Sequence, residues 1–175
     1  PKLQPRPARL GSETTVLEAK GINKTFGGGR SFFGFGKLHR EVNAVKNVGL
    51  DLKRGETLGI VGESGSGKST LARCIIRLIE SDSGSILLDG IDVSNLKRAD
   101  MRPLRTKIQM VFQDPFASLN PRIKVGNIIA QGPEIQGLSK TEAEVSAREL
   151  ISIVGLDKRA FNQFPHEFSG GQRQR

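Results

Sequence analysis

The sequence predicts an α/β fold organised around a phosphate-binding loop, and three observations carry that prediction. The segment Gly62-Glu63-Ser64-Gly65-Ser66-Gly67-Lys68-Ser69-Thr70 matches G-x-x-x-x-G-K-[ST] and sits between an apolar run, 57–61, and a helical stripe. Short apolar runs bounded by turn residues recur from Val16 to Phe112, as strands do. Beyond residue 112 the periodicity becomes helical, which points to a second, α-helical part.

In chain order, residues 1–14 carry Pro1, Pro5 and Pro7 without periodicity and read as a linker or tail. Val16-Leu17-Glu18-Ala19 is the first predicted strand, and 42–52, with Val48, Leu50 and Leu52 alternating, the second. Between them, 27–41 is rich in glycine and holds Phe32, Phe33 and Phe35. It reads as a long hairpin loop, with contact to a membrane partner or a nucleic acid as the lesser alternative. Arg54-Gly55 makes a turn, and Thr57-Leu58-Gly59-Ile60-Val61 is predicted as a buried parallel strand feeding the loop. Leu71, Cys74, Ile75, Leu78 and Ile79 then form one helical stripe, which Ser81 to Gly84 ends.

Ser85 to Leu88 is a further strand closing on the turn Asp89-Gly90, and 96–104 a basic helical segment. Ile108 to Phe112 is predicted as a strand that delivers Gln113 to its end. Ser139 and Glu142 have capping-box spacing ahead of a helix whose apolar face comprises Val145, Leu150, Ile151, Val154 and Leu156 and which ends near Gly155. The domain reading is a tail at 1–14, a nucleotide-binding core with a β subdomain at 15–112, and a partial helical subdomain at 113–175.

Composition narrows the function classes. Apolar residues make up 36% and glycines 21 of 175 positions, a globular balance. No apolar stretch approaches the ~18 residues of a membrane span, and the start lacks a signal-peptide layout, so a cytosolic setting fits. Cys74, the single cysteine, lies on the helical stripe and reads as a small hydrophobe. The net charge of +9 is concentrated in the first forty or so residues, without a zinc-finger or RNP-like pattern, and no nucleic-acid partner is expected.

The loop has a chemistry set by residue type. Glycines at 62, 65 and 67 let successive N–H groups converge on phosphate oxygens, and Lys68 adds a point charge beside the β/γ-phosphates. The Ser69 hydroxyl is placed to coordinate Mg²⁺, and the helix that follows turns its positive end to the same anion.

A second motif, Phe168-Ser169-Gly170-Gly171-Gln172, follows the loop by about a hundred residues. Together the two resemble the ATP-binding subunit of ABC transporters, with Phe168 where the signature usually has Leu. The resemblance implies a P-loop NTPase core of ABC type with an antiparallel β subdomain and a truncated α-helical subdomain. It makes Gln113 the Q-loop glutamine, a sensor of the γ-phosphate and a Mg²⁺ ligand with Ser69, and Phe26 the aromatic that stacks on adenine. Gly62, Glu63, Ser64, Gly65, Ser66, Gly67, Lys68, Ser69 and Thr70 would grip one ATP, while Ser169, Gly170, Gly171 and Gln172 would grip that of a second ATP-binding subunit in a head-to-tail dimer. Val111 to Pro115 and Ser118 to Arg122 are similar to the peptide/nickel importer branch. Membrane-spanning permease subunits and a peripheral place on the cytoplasmic face of the plasma membrane are implied as well.

The family also has, after the signature, an apolar strand ending in Asp-Glu and a switch histidine, and these 175 residues contain neither. No catalytic residue is therefore assigned: His39, Asp114 and His166 do not fill those roles, and hydrolysis by this chain alone is expected to be absent or very slow. Without that strand, apolar side chains and backbone beside the 57–61 run are expected to be exposed, with a fraying end and a tendency to aggregate. The alternatives are a non-transport ABC-type ATPase and a non-hydrolysing nucleotide-binding module.

Overall fold

The computed structural model describes residues 14–27, 41–112 and 119–174. They fall into two compact units divided between Met110 and Val111. The glycine- and phenylalanine-rich stretch 28–40 and Gln113 lie outside the described residues.

The first unit is an antiparallel sheet with a helix against it. Strands β1 (Thr15–Phe26), β2 (Val42–Lys53), β3 (Ser83–Leu88) and β4 (Ile91–Asp92) are ordered β2-β1-β3-β4. β1 and β2 pair from Thr15↔Lys53 to Phe26↔Val42. Strand alternation puts residues two apart on one face, yet Ala19 and Ile22, three apart, are both fully buried. A register irregularity between them, with Gly21 at φ 62°, adds the extra residue that returns Ile22 to the core face. Gly84 is required beside it: a Cβ there would stand 2.6 Å from the Gly21 carbonyl oxygen.

Helix α1 (Lys68–Ile75) buries Leu71, Cys74 and Ile75 against Ala19, Ile22, Val45 and Ile86. It is shorter than the predicted stripe because Arg77 turns left-handed at φ 56°. The Arg105 guanidinium donates to the carbonyl oxygens of Ile76 and Arg77, satisfying the groups the helix leaves open there. Ile79 still packs on the core, whereas Leu78 is exposed. The basic segment forms a short helix α2 (Arg98–Met101) and a 3-10 turn, Pro103–Thr106.

Two predicted strands do not form. Residues 57–61 and 108–112 have no ladder partner among the described residues. An apolar run becomes a strand only when neighbours take up its N–H and C=O groups. Val61 is left 93% exposed and Val111 97% exposed.

The second unit packs α3 (Val125–Ile135) on α4 (Lys140–Ile153), then continues through 3-10 turns at Lys158–Asn162 and Pro165–Glu167 to α5 (Gly170–Arg173). The buried face of α4 keeps Ile151 of the predicted stripe, with Leu156 packed beside the core, but not Val145 or Leu150. Ala143, Ala147 and Ile151, at i, i+4 and i+8, enter the core, while Val145 and Leu150 are exposed. Small residues allow the close approach: Ala130, Ala143, Ala147 and Ala160 surround Phe161 and Phe168, and a Cβ on Gly126 would meet the Phe161 ring at 2.4 Å. Large side chains at 145 and 150 mark apolarity but not the packed face.

The capping box at the start of α4 forms as predicted, with Ser139 N–H donating to Glu142 Oε2 at 2.9 Å and Glu142 N–H to Ser139 Oγ at 3.4 Å. Hydrogen bonds from the Ser139 side chain and then its backbone hold the Glu142 carboxyl below the usual carboxylate range. Ser139→Ala should destabilise the second unit by about 1 kcal/mol in urea unfolding. Because the folded-state pKa is lowered, the contribution of Glu142 is complete above the ordinary value of about 4.3 and fades as pH falls through the lowered one. The stability gap between the native chain and Glu142→Gln should accordingly be open at neutral pH and closed in acid.

Candidate functional site

The loop opens onto a cavity of about 500 Å³ lined by Asn43, Ala44, Val45 and Lys46 of β2, Ile60 and Val61, and Gly62, Ser66, Gly67 and Lys68. Gly67 is the residue that caps α1 and takes a left-handed conformation, φ 92°. A Cβ at this position would lie 2.0 Å from the Ala44 carbonyl oxygen, so the last turn of the loop rests on the β2 backbone at a separation only glycine permits. Gly65 is also left-handed, at φ 82°. A turn closed by Ser66 N–H to the Glu63 carbonyl oxygen at 3.2 Å shapes the rest.

Lys68 is folded back over this loop. Its Nζ donates to the carbonyl oxygens of Gly62 at 2.8 Å and Glu63 at 2.6 Å, and to Ser66 Oγ at 3.2 Å. An ammonium has three N–H donors, and these partners use all three. The positive charge is thereby held above the first turn of α1 without any carboxylate partner in the described ion pairs. A positive centre, a left-handed glycine pair and a helix start converge on one concave surface, which is the architecture of an anion site. Glu63 and Ser64 form the exposed outer edge of the loop, and Ser69 and Thr70 lie in the first turn of α1 with Ser69 exposed.

This geometry is joined to a family by similarity. A model of the ABC transporter family matches residues 45–175. The chain belongs to the ABC transporter family. It is 48% identical to the dipeptide transport ATP-binding protein DppF of Lactococcus lactis over 91% of this chain and 50% of that protein. It is 53% identical to the oligopeptide transport ATP-binding protein OppF of Bacillus subtilis over 77% of this chain and 45% of that one. The chain thus spans about half the length of these curated relatives. Among solved structures, the ATP-binding cassette MJ0796, a dimer in a post-hydrolysis state bound to ADP and Pi, superposes with a TM-score of 0.73 at 30% identity, over 90% of this chain and 65% of that one.

Within this ABC chain, Phe26 does not line the cavity. It ends β1, 42% exposed, opposite Val42 and one register step from Thr25↔Asn43, whose Asn43 does line it. The Thr25 hydroxyl donates to Asn43 Oδ1 at 2.7 Å and ties the two strands there.

The signature residues are in the second unit. Ser169 caps α5 through a capping box, its Oγ accepting from Gln172 N–H at 3.3 Å while Ser169 N–H donates to Gln172 Oε1 at 2.9 Å. Gly170 and Gly171 form the first turn, and Phe168 is buried in the helical core, which fixes the start of the motif. Asn43, Ala44 and Lys46 escaped the sequence reading, since only the pairing register brings β2 beneath the loop.

Gly67→Ala should collapse the loop, because the added carbon needs both a left-handed backbone and the space of the Ala44 oxygen. The measurement is equilibrium binding of inorganic triphosphate with Mg²⁺: binding should be lost in Gly67→Ala, whereas Gly59→Ala, with nothing within 4 Å of its Cβ, should bind as the native chain does.

Proposed function

We propose that this chain is the ATP-binding, energy-coupling part of an ABC importer for peptides or related small solutes. The observation that carries the reading is the Lys68 ammonium, held over a left-handed glycine loop at the start of α1. The names of the relatives, dipeptide and oligopeptide transport ATP-binding proteins, support the substrate class.

In this reading Gly62 to Thr70 cradle the phosphates, with Lys68 exchanging part of its carbonyl set for phosphate oxygens, and Phe26 takes the adenine. Mg²⁺ fits the residues present, since Ser69 exposes a hydroxyl at the helix start. Mg²⁺ bound through one hydroxyl and substrate phosphates keeps its remaining positions for water, as this ion prefers. Gln113, outside the described residues, would add a second protein ligand. When bound, Mg²⁺ would neutralise charge on the phosphates.

Ser169, Gly170, Gly171 and Gln172 serve the nucleotide of a second ATP-binding subunit in a head-to-tail dimer; the dimeric MJ0796 cassette supports the presence of that second subunit. The partners on the other side are membrane-spanning permease subunits, reached from the cytoplasmic face of the membrane. No helix among the described residues is long and apolar enough to cross a membrane. Hydrolysis belongs to the whole protein, and none of the 175 residues is assigned as the base that activates water.

Labelled-ATP binding tests the reading. Lys68→Ala should weaken ATP binding by roughly tenfold to a hundredfold, the loss expected for a charge-assisted contact. Equal affinities would remove Gly62 to Thr70 as the site. Phosphate release by the chain alone should stay near the rate of a no-enzyme control.

A further inference from the structure

Phe26 is half-exposed at the end of a strand, so its own burial does not fix the ring. Two neighbours do. Lys24 Nζ lies 5.6 Å from the ring centroid, a cation over the aromatic system. Lys24 in turn donates to Asp82 Oδ1 at 2.7 Å, and the other carboxylate oxygen of Asp82 accepts the Thr25 N–H at 2.6 Å. One carboxylate therefore clasps both the cation over the ring and the backbone immediately before it.

Asp82 is itself anchored, its N–H donating to the Asn23 carbonyl oxygen at 2.8 Å. Asn23 reaches Ser83 Oγ at 3.0 Å and accepts the Asn47 N–H at 2.8 Å, so β1, β2 and the start of β3 meet at this point. Asp82 stands on the segment that leads out of α1, the helix that begins at Lys68. An exposed ion pair contributes little to stability, but one carboxylate with two donors on successive residues fixes a direction. Lys24 lies over the ring, and Phe26 keeps 42% of its surface exposed.

We propose that Asp82 is a positioning residue for the nucleotide base, acting through Lys24 and Thr25 to hold the Phe26 ring in register with the phosphate loop. This rests on the assignment of Phe26 as the adenine platform. The base end and the phosphate end of the nucleotide are then linked through the chain, since α1 starts at the loop and the segment that follows it carries Asp82.

The test uses the 175-residue chain and two probes with Mg²⁺, ATP and inorganic tripolyphosphate, the second of which has no base. Asp82→Ala should weaken ATP binding about tenfold, within the range of a lost base stack, and leave tripolyphosphate affinity unchanged. Asp82→Asn, which keeps an acceptor for Thr25 N–H, should lose less. In a Phe26→Ala background, Asp82→Ala should cost nothing further. If Phe26→Ala weakens ATP binding and Asp82→Ala does not, or if Asp82→Ala weakens both probes equally, the positioning role is wrong and the platform stands. If Phe26→Ala leaves ATP affinity unchanged, the platform and the role built on it both fall.

Discussion

The contact on which the 62–70 loop depends is the approach of Gly67 to the Ala44 carbonyl oxygen, closer than any side chain would allow. It seats the phosphate loop on the β2 backbone. From that seat the direction of α1 follows, because Gly67 is its cap, and so does the placement of Lys68, whose ammonium is turned back onto Gly62, Glu63 and Ser66. The cavity beneath the loop is walled by the same strand.

Irregularity in that ladder has a consequence of its own. The extra residue near Gly21 restores Ile22 to the core, and Gly84 admits the passing backbone. Past this bulge the end of β1 turns toward Asn43 and Asp82, which is where Phe26 stands. A strand in strict alternation would have sent one of Ala19 and Ile22 to solvent. The core and the placement of Phe26 therefore draw on the same local departure from regular geometry.

In the helical unit, specificity of packing lies in small residues. Gly126 and four alanines make room for Phe161 and Phe168, and burial of Phe168 anchors the turn from which Ser169 to Gln172 start. Arg148 lies 3.7 Å above the Phe161 ring, so the outer side of that aromatic is covered by a cation whose stem is apolar. The signature motif is thus presented by a packed core even though its own helix spans four residues.

Much of this was legible in the residues. The loop, the capping box at Ser139 and Glu142, and the strands at 16–19, 42–52 and 85–88 follow from local chemistry, in which glycine, serine and alternating apolar residues act on their immediate neighbours. The runs 57–61 and 108–112 have the composition of strands, but ladder bonds come from elsewhere in space and are not encoded in the run. The α4 stripe holds at Ile151 and fails at Val145 and Leu150, which are apolar without facing the core, whereas the alanines that do face it carry little hydrophobic signal. The sequence by itself determined the loop motif and the family, since both rest on residue types at fixed spacing. Tertiary structure alone decided that Asn43 and Ala44 wall the loop and that Asp82 reaches Lys24 and Thr25, because contacts between residues tens of positions apart depend on register, which no local pattern records.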